Sequence, residues 1–171
     1  FLEARRVHRL KSLPASQVLL NMYPNNQNTI STHAKSLVLN HDIYKAIDLM
    51  EGLVNDYPDN EEFQINLATA YREMGDFRKS KKIIDIGFKT LFKRRLNNEP
   101  VKNLIQFFAQ YSSDKENLLN EQEIEFFANR LNSSELNIDQ KITLARGFFE
   151  YFRNIKDFDK SYEYLEIMNQ L

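Results

Sequence analysis

"NMYPNN" spans Asn21–Asn26 and "NDYPDN" spans Asn55–Asn60, so two Tyr-Pro pairs lie 34 positions apart in the chain. The whole sequence of 171 residues contains four prolines. A proline lacks a backbone N–H and disfavours helical geometry at the residue before it. Each hexapeptide therefore predicts that one helix ends and a turn follows, and the constant interval predicts a repeated unit.

The repeat extends beyond the two hexapeptides. When the sequence is shifted by 34 positions, residues of the same kind coincide at turn, small and apolar positions. Ala34 falls on Ala68, Asp42-Ile43 on Asp76-Phe77, Ala46 on Ser80, and Met50 on Ile84. A unit of this length that matches at all three kinds of position is typical of stacked helical hairpins.

The copy that begins at Asn60 shows how one unit divides into two helices. Asn60 is a predicted N-cap, and Glu61 and Glu62 follow in the first turn, where carboxylates suit the helix dipole. Apolar residues then recur at helical spacing at Phe63, Leu67, Ala70 and Tyr71.

The first helix of this copy is predicted to end at Gly75, which is able to adopt the left-handed C′ conformation. A second helix is expected from about Arg78, with Ile83, Ile84 and Gly87 facing inward. Small residues at Ala46, Ala68 and Ser80 would let the paired backbones approach closely.

These residues resemble the tetratricopeptide repeat (TPR) family, whose unit is a helix–turn–helix of 34 residues. The resemblance covers Ile30–Pro58 and Phe63–Gly87 and rests on Leu67-Ala68…Tyr71, Gly75-Asp76-Phe77, Ala46 and Pro58. A third copy, LARGFFEYFRNIKDFDKSYEYLEIMN, ends the chain, with a break at Asn154–Asp157. The chain departs from the family at Gln64, Ser80, Gly87 and Phe92.

The resemblance implies an all-α fold, a right-handed superhelix (α-solenoid) of antiparallel helical hairpins. We expect a single TPR-like domain over residues 1–171. It divides into a partial unit (1–26), two repeats (27–60 and 61–98), a degenerate helical pair (99–138) and a last repeat (139–171). The chain begins without a methionine, so we expect a fragment of a longer protein.

Composition and motifs argue against most enzyme classes. The chain has no cysteine, which excludes disulfides and thiolate chemistry. His8, His33 and His41 lack metal-ligand spacing, and no phosphate-binding glycine loop or nucleophile elbow occurs. Glu61-Glu62 and Glu121–Glu125 are interpreted as helix-start charges, with Asn120 and Glu123 forming a capping box. We therefore expect no enzymatic activity, no cofactor and no metal.

Charge is arranged in blocks, although the net charge is only −1. Residues 1–41 carry net +4, 42–77 net −7, 78–113 net +7 and 114–171 net −5. The most basic block includes Lys81 and Lys82, but acidic blocks flank it on both sides. We therefore interpret the basic block as a solvated convex face or as a docking patch for an acidic protein. Nucleic-acid binding is the less favoured interpretation.

Phenylalanine doublets occur in three predicted helices: Phe107-Phe108, Phe126-Phe127 and Phe148-Phe149. At least one ring of each doublet is expected in the core, because no tryptophan fills the volume between helix layers. Doublets with both rings exposed would instead mark a homodimer surface.

The resemblance implies a concave groove lined by the first helix of each unit, where a peptide or partner helix binds. The groove positions carried over are Lys35, Glu62, Ile65, Asn66, Thr69, Arg72, Glu73, Arg146, Glu150 and Arg153. Only Asn66 matches the family's carboxylate clamp, so that activity is not implied.

The sequence therefore leaves two alternative functions. The first is a protein–protein interaction scaffold, and the alternative is a non-catalytic N-terminal arm of a larger enzyme such as a sulfotransferase or glycosyltransferase. No apolar run is long enough to span a membrane. The compartment is not specified, with the cytoplasm slightly favoured.

Overall fold

The computed structural model describes the backbone of residues 2–97 and 103–171 and the side chains of residues 12–97 and 103–171. Within those ranges it has nine helices and no strand. They are α1 (Leu2–Met22), α2 (Gln27–Leu39), α3 (Ile43–Asp56), α4 (Glu61–Met74), α5 (Phe77–Leu96), α6 (Leu104–Ser112), α7 (Glu121–Leu131), α8 (Ile138–Asn154) and α9 (Phe158–Gln170). The all-α prediction is confirmed.

The chain divides into two compact units, Phe1–Ile83 and Ile84–Leu171, with the boundary inside α5. In the first unit α1 packs on α2, α2 on α3, and α3 on α4. In the second unit α8 packs on both α6 and α9. Neighbouring helices therefore form pairs, as expected for hairpins, while the single-domain and superhelix assignments stay predictions.

The helix ends follow the local signals in the sequence. α1 ends at Met22, two residues before Pro24. The side chain of Asn60 accepts hydrogen bonds from the N–H groups of Glu62 and Phe63, as an N-cap does. Gly75 closes α4 in the left-handed conformation at φ 91°. The predicted breaks at Pro24, Gly75 and Asn154–Asp157 are all confirmed.

The core of the first unit lies between α2, α3 and α4. It is built from Ala34, Ile47, Met50, Leu67, Ala70 and Tyr71. Ala46 and Ala68 are fully buried, which agrees with their predicted positions at helix contacts. The inward face of α4 carries the apolar residues at helical spacing, so its opposite face is left for polar groups.

Stacked phenylalanine rings fill the core of the second unit. The ring centroid of Phe108 lies 4.1 Å from that of Phe127 and 5.0 Å from that of Phe148. Phe88 of α5 joins them, 6.1 Å from Phe127. Rings at these distances add attraction beyond the area they bury, so the cluster ties α5, α6, α7 and α8 together.

The doublets are core residues, as predicted. Both rings of Phe107-Phe108 are fully buried, and so are those of Phe127 and Phe148, while Phe126 and Phe149 are half-buried. The proposed dimer surface required exposed doublets, and none of these rings is exposed. Exposed doublets are therefore not found, because each half-buried ring packs on a neighbouring side chain, while homodimerisation itself stays a prediction. Phe126, for example, meets Phe92 edge-on at 5.3 Å.

Candidate functional site

Polar residues line one face of the first unit, where α2 and α4 lie side by side. We call it the α2–α4 face. Its α4 residues recur three or four positions apart, opposite the buried stripe, so they share one side of the helix. Its members are Ser31, Lys35, Glu62, Ile65, Asn66, Thr69, Arg72 and Glu73.

Two contacts between the helices bring four of these residues together. The Nζ atom of Lys35 lies 2.6 Å from Oε1 of Glu62, and Nδ2 of Asn66 donates to Oγ of Ser31 at 3.4 Å. The Lys35 and Glu62 side chains are 44% and 57% exposed. An ion pair that water reaches so freely contributes under about 1 kcal/mol, so it positions the helices more than it stabilises them.

The end of the α2–α4 face near the C-terminus of α4 carries two exposed charges. Arg72 and Glu73 are exposed, and neither forms an ion pair with another residue that the structure describes. The hydroxyl of Thr69 donates to the carbonyl oxygen of Ile65 at 2.9 Å, and Ile65 itself is half-buried. This end therefore offers a positive charge, a negative charge and a partly exposed apolar side chain.

The other predicted groove residues belong to the second unit and lie on one stripe of α8. Glu150 and Arg153 form an ion pair with each other. The Arg153 guanidinium also lies 5.4 Å from the ring centroid of Phe149, within cation–π range. Arg146 is exposed. A common groove containing both this stripe and the α2–α4 face stays a prediction.

A buried carboxylate in the second unit was missed by the sequence analysis. Glu123 is only 2% exposed, whereas it was interpreted as an ordinary helix-start charge without a desolvated site. The predicted capping box with Asn120 is confirmed, with both bonds at 2.9 Å. In addition, Oε1 of Glu123 lies 2.7 Å from Nζ of Lys89 on α5. The sequence contains no sign of this pair, because its members are 34 positions apart.

Burial and hydrogen bonding shift the pKa of Lys89 in opposite directions. Burial lowers the pKa of its ammonium, but the bonds to Glu123 and Tyr111 outweigh burial and raise the pKa above its usual value. Its Nζ also lies 4.9 Å from the ring centroid of Tyr111. Lys89 and Glu123 are therefore hydrogen-bonded to each other, Glu123 also to the Asn120 N–H and Lys89 also to Tyr111. We interpret this pair as structural.

Two buried titratable groups of the first unit, His33 and Tyr71, also have hydrogen-bond partners. Nδ1 of the buried His33 lies 3.0 Å from Oγ of Ser16, and burial lowers the pKa of this imidazole. Burial, followed by a hydrogen bond to Glu51, raises the pKa of the Tyr71 hydroxyl far above its usual value. Across the residues that the structure describes, His, Asp and Glu side chains form no cluster able to hold a metal ion.

The charged run of α5 is partly engaged with neighbouring residues. Lys79 lies 3.9 Å from Asp76 and 4.8 Å from the ring centroid of Tyr71. Lys82 is exposed. The exposure of Lys82 is compatible with both the solvated face and the docking patch, so both interpretations stay predictions.

A cleft of about 400 Å³ opens on the second unit. It lies at the start of α6, beside the ends of α5 and α7 and the beginning of α8. Polar residues form most of its lining, and four apolar side chains complete it. The lining consists of Arg95, Asn103, Leu104, Ile105, Gln106, Phe127, Arg130, Leu136 and Gln140.

In the described ranges, no helix combines the length and apolar character needed to cross a membrane. Comparison with known protein families, with curated proteins and with solved structures gave no match.

Proposed function

We propose that this chain is a protein–protein interaction scaffold whose α2–α4 face receives an extended peptide or a partner helix. The observation that carries the proposal is the pair of exposed charges, Arg72 and Glu73, which form no ion pair with a described residue and lie beside the half-buried Ile65. A mixed-charge surface with an apolar contact suits a peptide that has both an acidic anchor and apolar side chains. Stacking of the helix pairs into a TPR-like superhelix is part of the same proposal.

The two contacts between α2 and α4 support this reading. The Lys35–Glu62 pair and the Asn66–Ser31 hydrogen bond hold the polar side chains in place before a partner arrives. A surface organised in this way loses less side-chain entropy on binding. Because the charged contacts are exposed, affinity should be modest and should fall as salt rises.

The scaffold is proposed to be non-catalytic. His33, Tyr71 and Lys89, whose pKa values are shifted, lie in hydrogen-bonded structural contacts, and the α2–α4 face lacks an aligned acid, base and nucleophile. The isolated chain should therefore show no turnover with phosphatase, esterase, protease or sulfotransfer substrates. An activity that survives repurification and disappears with one point substitution would contradict this part of the proposal.

The binding proposal is tested with peptides selected from a displayed library against the immobilised chain. The affinity of an enriched peptide is then measured by fluorescence anisotropy at low and at physiological salt. Arg72→Glu should weaken binding about three- to tenfold at low salt, and less at high salt, because it replaces an attraction by a repulsion. The melting curve should stay nearly unchanged, since Arg72 is exposed.

Lys82→Glu is the matched control, because it makes the same charge reversal at an exposed position on α5. It should change affinity much less than Arg72→Glu. If Lys82→Glu abolishes binding and Arg72→Glu does not, the partner uses the basic face of α5 instead. If selection enriches no peptide, the scaffold proposal fails.

A further inference from the structure

The cleft of the second unit has a positive lining. Its two charged lining residues are Arg95, in the last turn of α5, and Arg130, in the last turn of α7, and no described acidic residue lines it. Arg95 forms no ion pair with any residue that the structure describes. Arg130 lies 3.4 Å from Glu135, but that carboxylate is 67% exposed and lies outside the lining. Water therefore weakens this ion pair. The Arg130 guanidinium also lies 5.7 Å from the ring centroid of Phe126, a contact that leaves its positive charge uncancelled.

The remaining lining residues complete a mixed environment. The amide side chains of Gln106 and Gln140 are able to donate or accept hydrogen bonds. Leu104, Ile105, Phe127 and Leu136 supply apolar contact, and Phe127 is fully buried beneath the surface. The first turn of α6 has no side-chain cap, because Asn103 adopts φ 56° and its side chain accepts no capping bond. The positive end of the α6 dipole therefore adds to the two arginines.

From this arrangement we propose that the cleft binds a small molecule that carries an oxyanion, either a phosphate or a carboxylate, on a compact apolar body. A guanidinium matches both oxyanions with two parallel hydrogen bonds, which a lysine does not. The volume of about 400 Å³ falls within the range of about 300–1,000 Å³ typical of small-ligand sites. The proposal concerns the second unit alone and is independent of peptide binding at the α2–α4 face.

The test uses the full chain labelled with ¹⁵N. Inorganic phosphate and glutarate are titrated separately, with sodium chloride at matched ionic strength as the reference. We expect saturable shifts of the Leu104, Ile105 and Gln106 amide signals with at least one of the two probes. The probe that saturates at lower concentration identifies the preferred oxyanion. Shifts no larger than those with chloride for both probes would overturn the proposal.

Variants locate the binding. Arg95→Gln should lower the affinity for the preferred probe about tenfold or more, because one charge-assisted contact is lost. Arg146→Gln removes the same charge from an exposed position on α8 outside the cleft and should leave the probe affinity within about twofold. The probe affinity of Arg130→Gln is measured in the same way and tests the second arginine of the cleft independently. Equal affinities for Arg95→Gln and Arg146→Gln would overturn the proposal, whatever the outcome at Arg130.

The result is separable from the proposed function. Arg72→Glu should leave phosphate and glutarate affinity unchanged, and Arg95→Gln should leave peptide affinity unchanged. Failure at one site therefore leaves the other proposal standing.

Discussion

Gly87→Ala is expected to destabilise the second unit, although alanine is the better helix former. A Cβ atom placed on Gly87 would lie 2.1 Å from Cε1 of Phe107 and 2.7 Å from its Cζ. Phe107 is fully buried, so its ring has little space into which to move. Overpacking of a core costs about 1–3 kcal/mol, and this overlap is severe enough to place the cost near the upper end.

The helix-propensity gain from Gly to Ala offsets about 1 kcal/mol of that cost. We therefore expect Gly87→Ala to lower the free energy of unfolding by about 1–2 kcal/mol. The free energy of unfolding is measured by urea denaturation, which is monitored by circular dichroism at the helix band. An unchanged slope m between parent and variant checks that unfolding stays two-state.

Gly52→Ala is the matched control. Gly52 is exposed in α3, and a Cβ atom there would meet nothing within 4 Å. The same substitution should therefore raise stability by about 0.5–1 kcal/mol. Opposite signs at the two glycines are the central expectation.

A double-mutant cycle identifies the contact. In a Phe107→Leu background the smaller side chain leaves room for the new methyl group, so Gly87→Ala should cost at least about 0.5 kcal/mol less than in the parent. If Gly87→Ala matches the parent in stability, or if the cycle shows no coupling, the close approach of α5 and α6 at this point is wrong.

Three further predictions concern packing, capping and pH. Ala68 is fully buried, so Ala68→Leu should overpack its helical hairpin and cost about 1–3 kcal/mol in a denaturation curve, and a parental curve would contradict the predicted helix contact. Glu123→Ala should cost about 1–2 kcal/mol through the lost capping box, while Glu123→Gln, which keeps the capping acceptor, should cost less. Because both variants lose the charge, equal costs would show that the charge matters more than the cap. His33 has a pKa below its ordinary value of 6.5, so the folded state prefers the neutral ring. The contribution of His33 to the free energy of unfolding is fully present above about pH 6.5. It is lost as the pH falls through the lower pKa of the folded state. Between pH 7.5 and 5 the parent should therefore lose more stability than His33→Gln, and equal losses would refute this assignment.

The sequence by itself determined where the helices begin and end. The signals at Asn60, Gly75 and Asn120 act on backbone groups within about four residues, so they are complete in the local sequence. The 34-residue period also identified Ala46 and Ala68 as contact positions, because a repeated small residue marks a repeated backbone approach. The helix ends and the burial of Ala46 and Ala68 are confirmed, while the repeat itself stays a prediction.

The tertiary structure alone decided which distant side chains meet. Glu123 looked like a solvated helix-start charge, and only the approach of α5 buries it against Lys89. The cleft around Arg95 and Arg130 has the same origin, since its lining comes from four helices that share no sequence pattern. The repeat period and the capping signals predict the position of each helix along the chain, but not which distant side chains it meets. Burial depends on which surfaces of different elements exclude water together, and that is settled only when the chain folds.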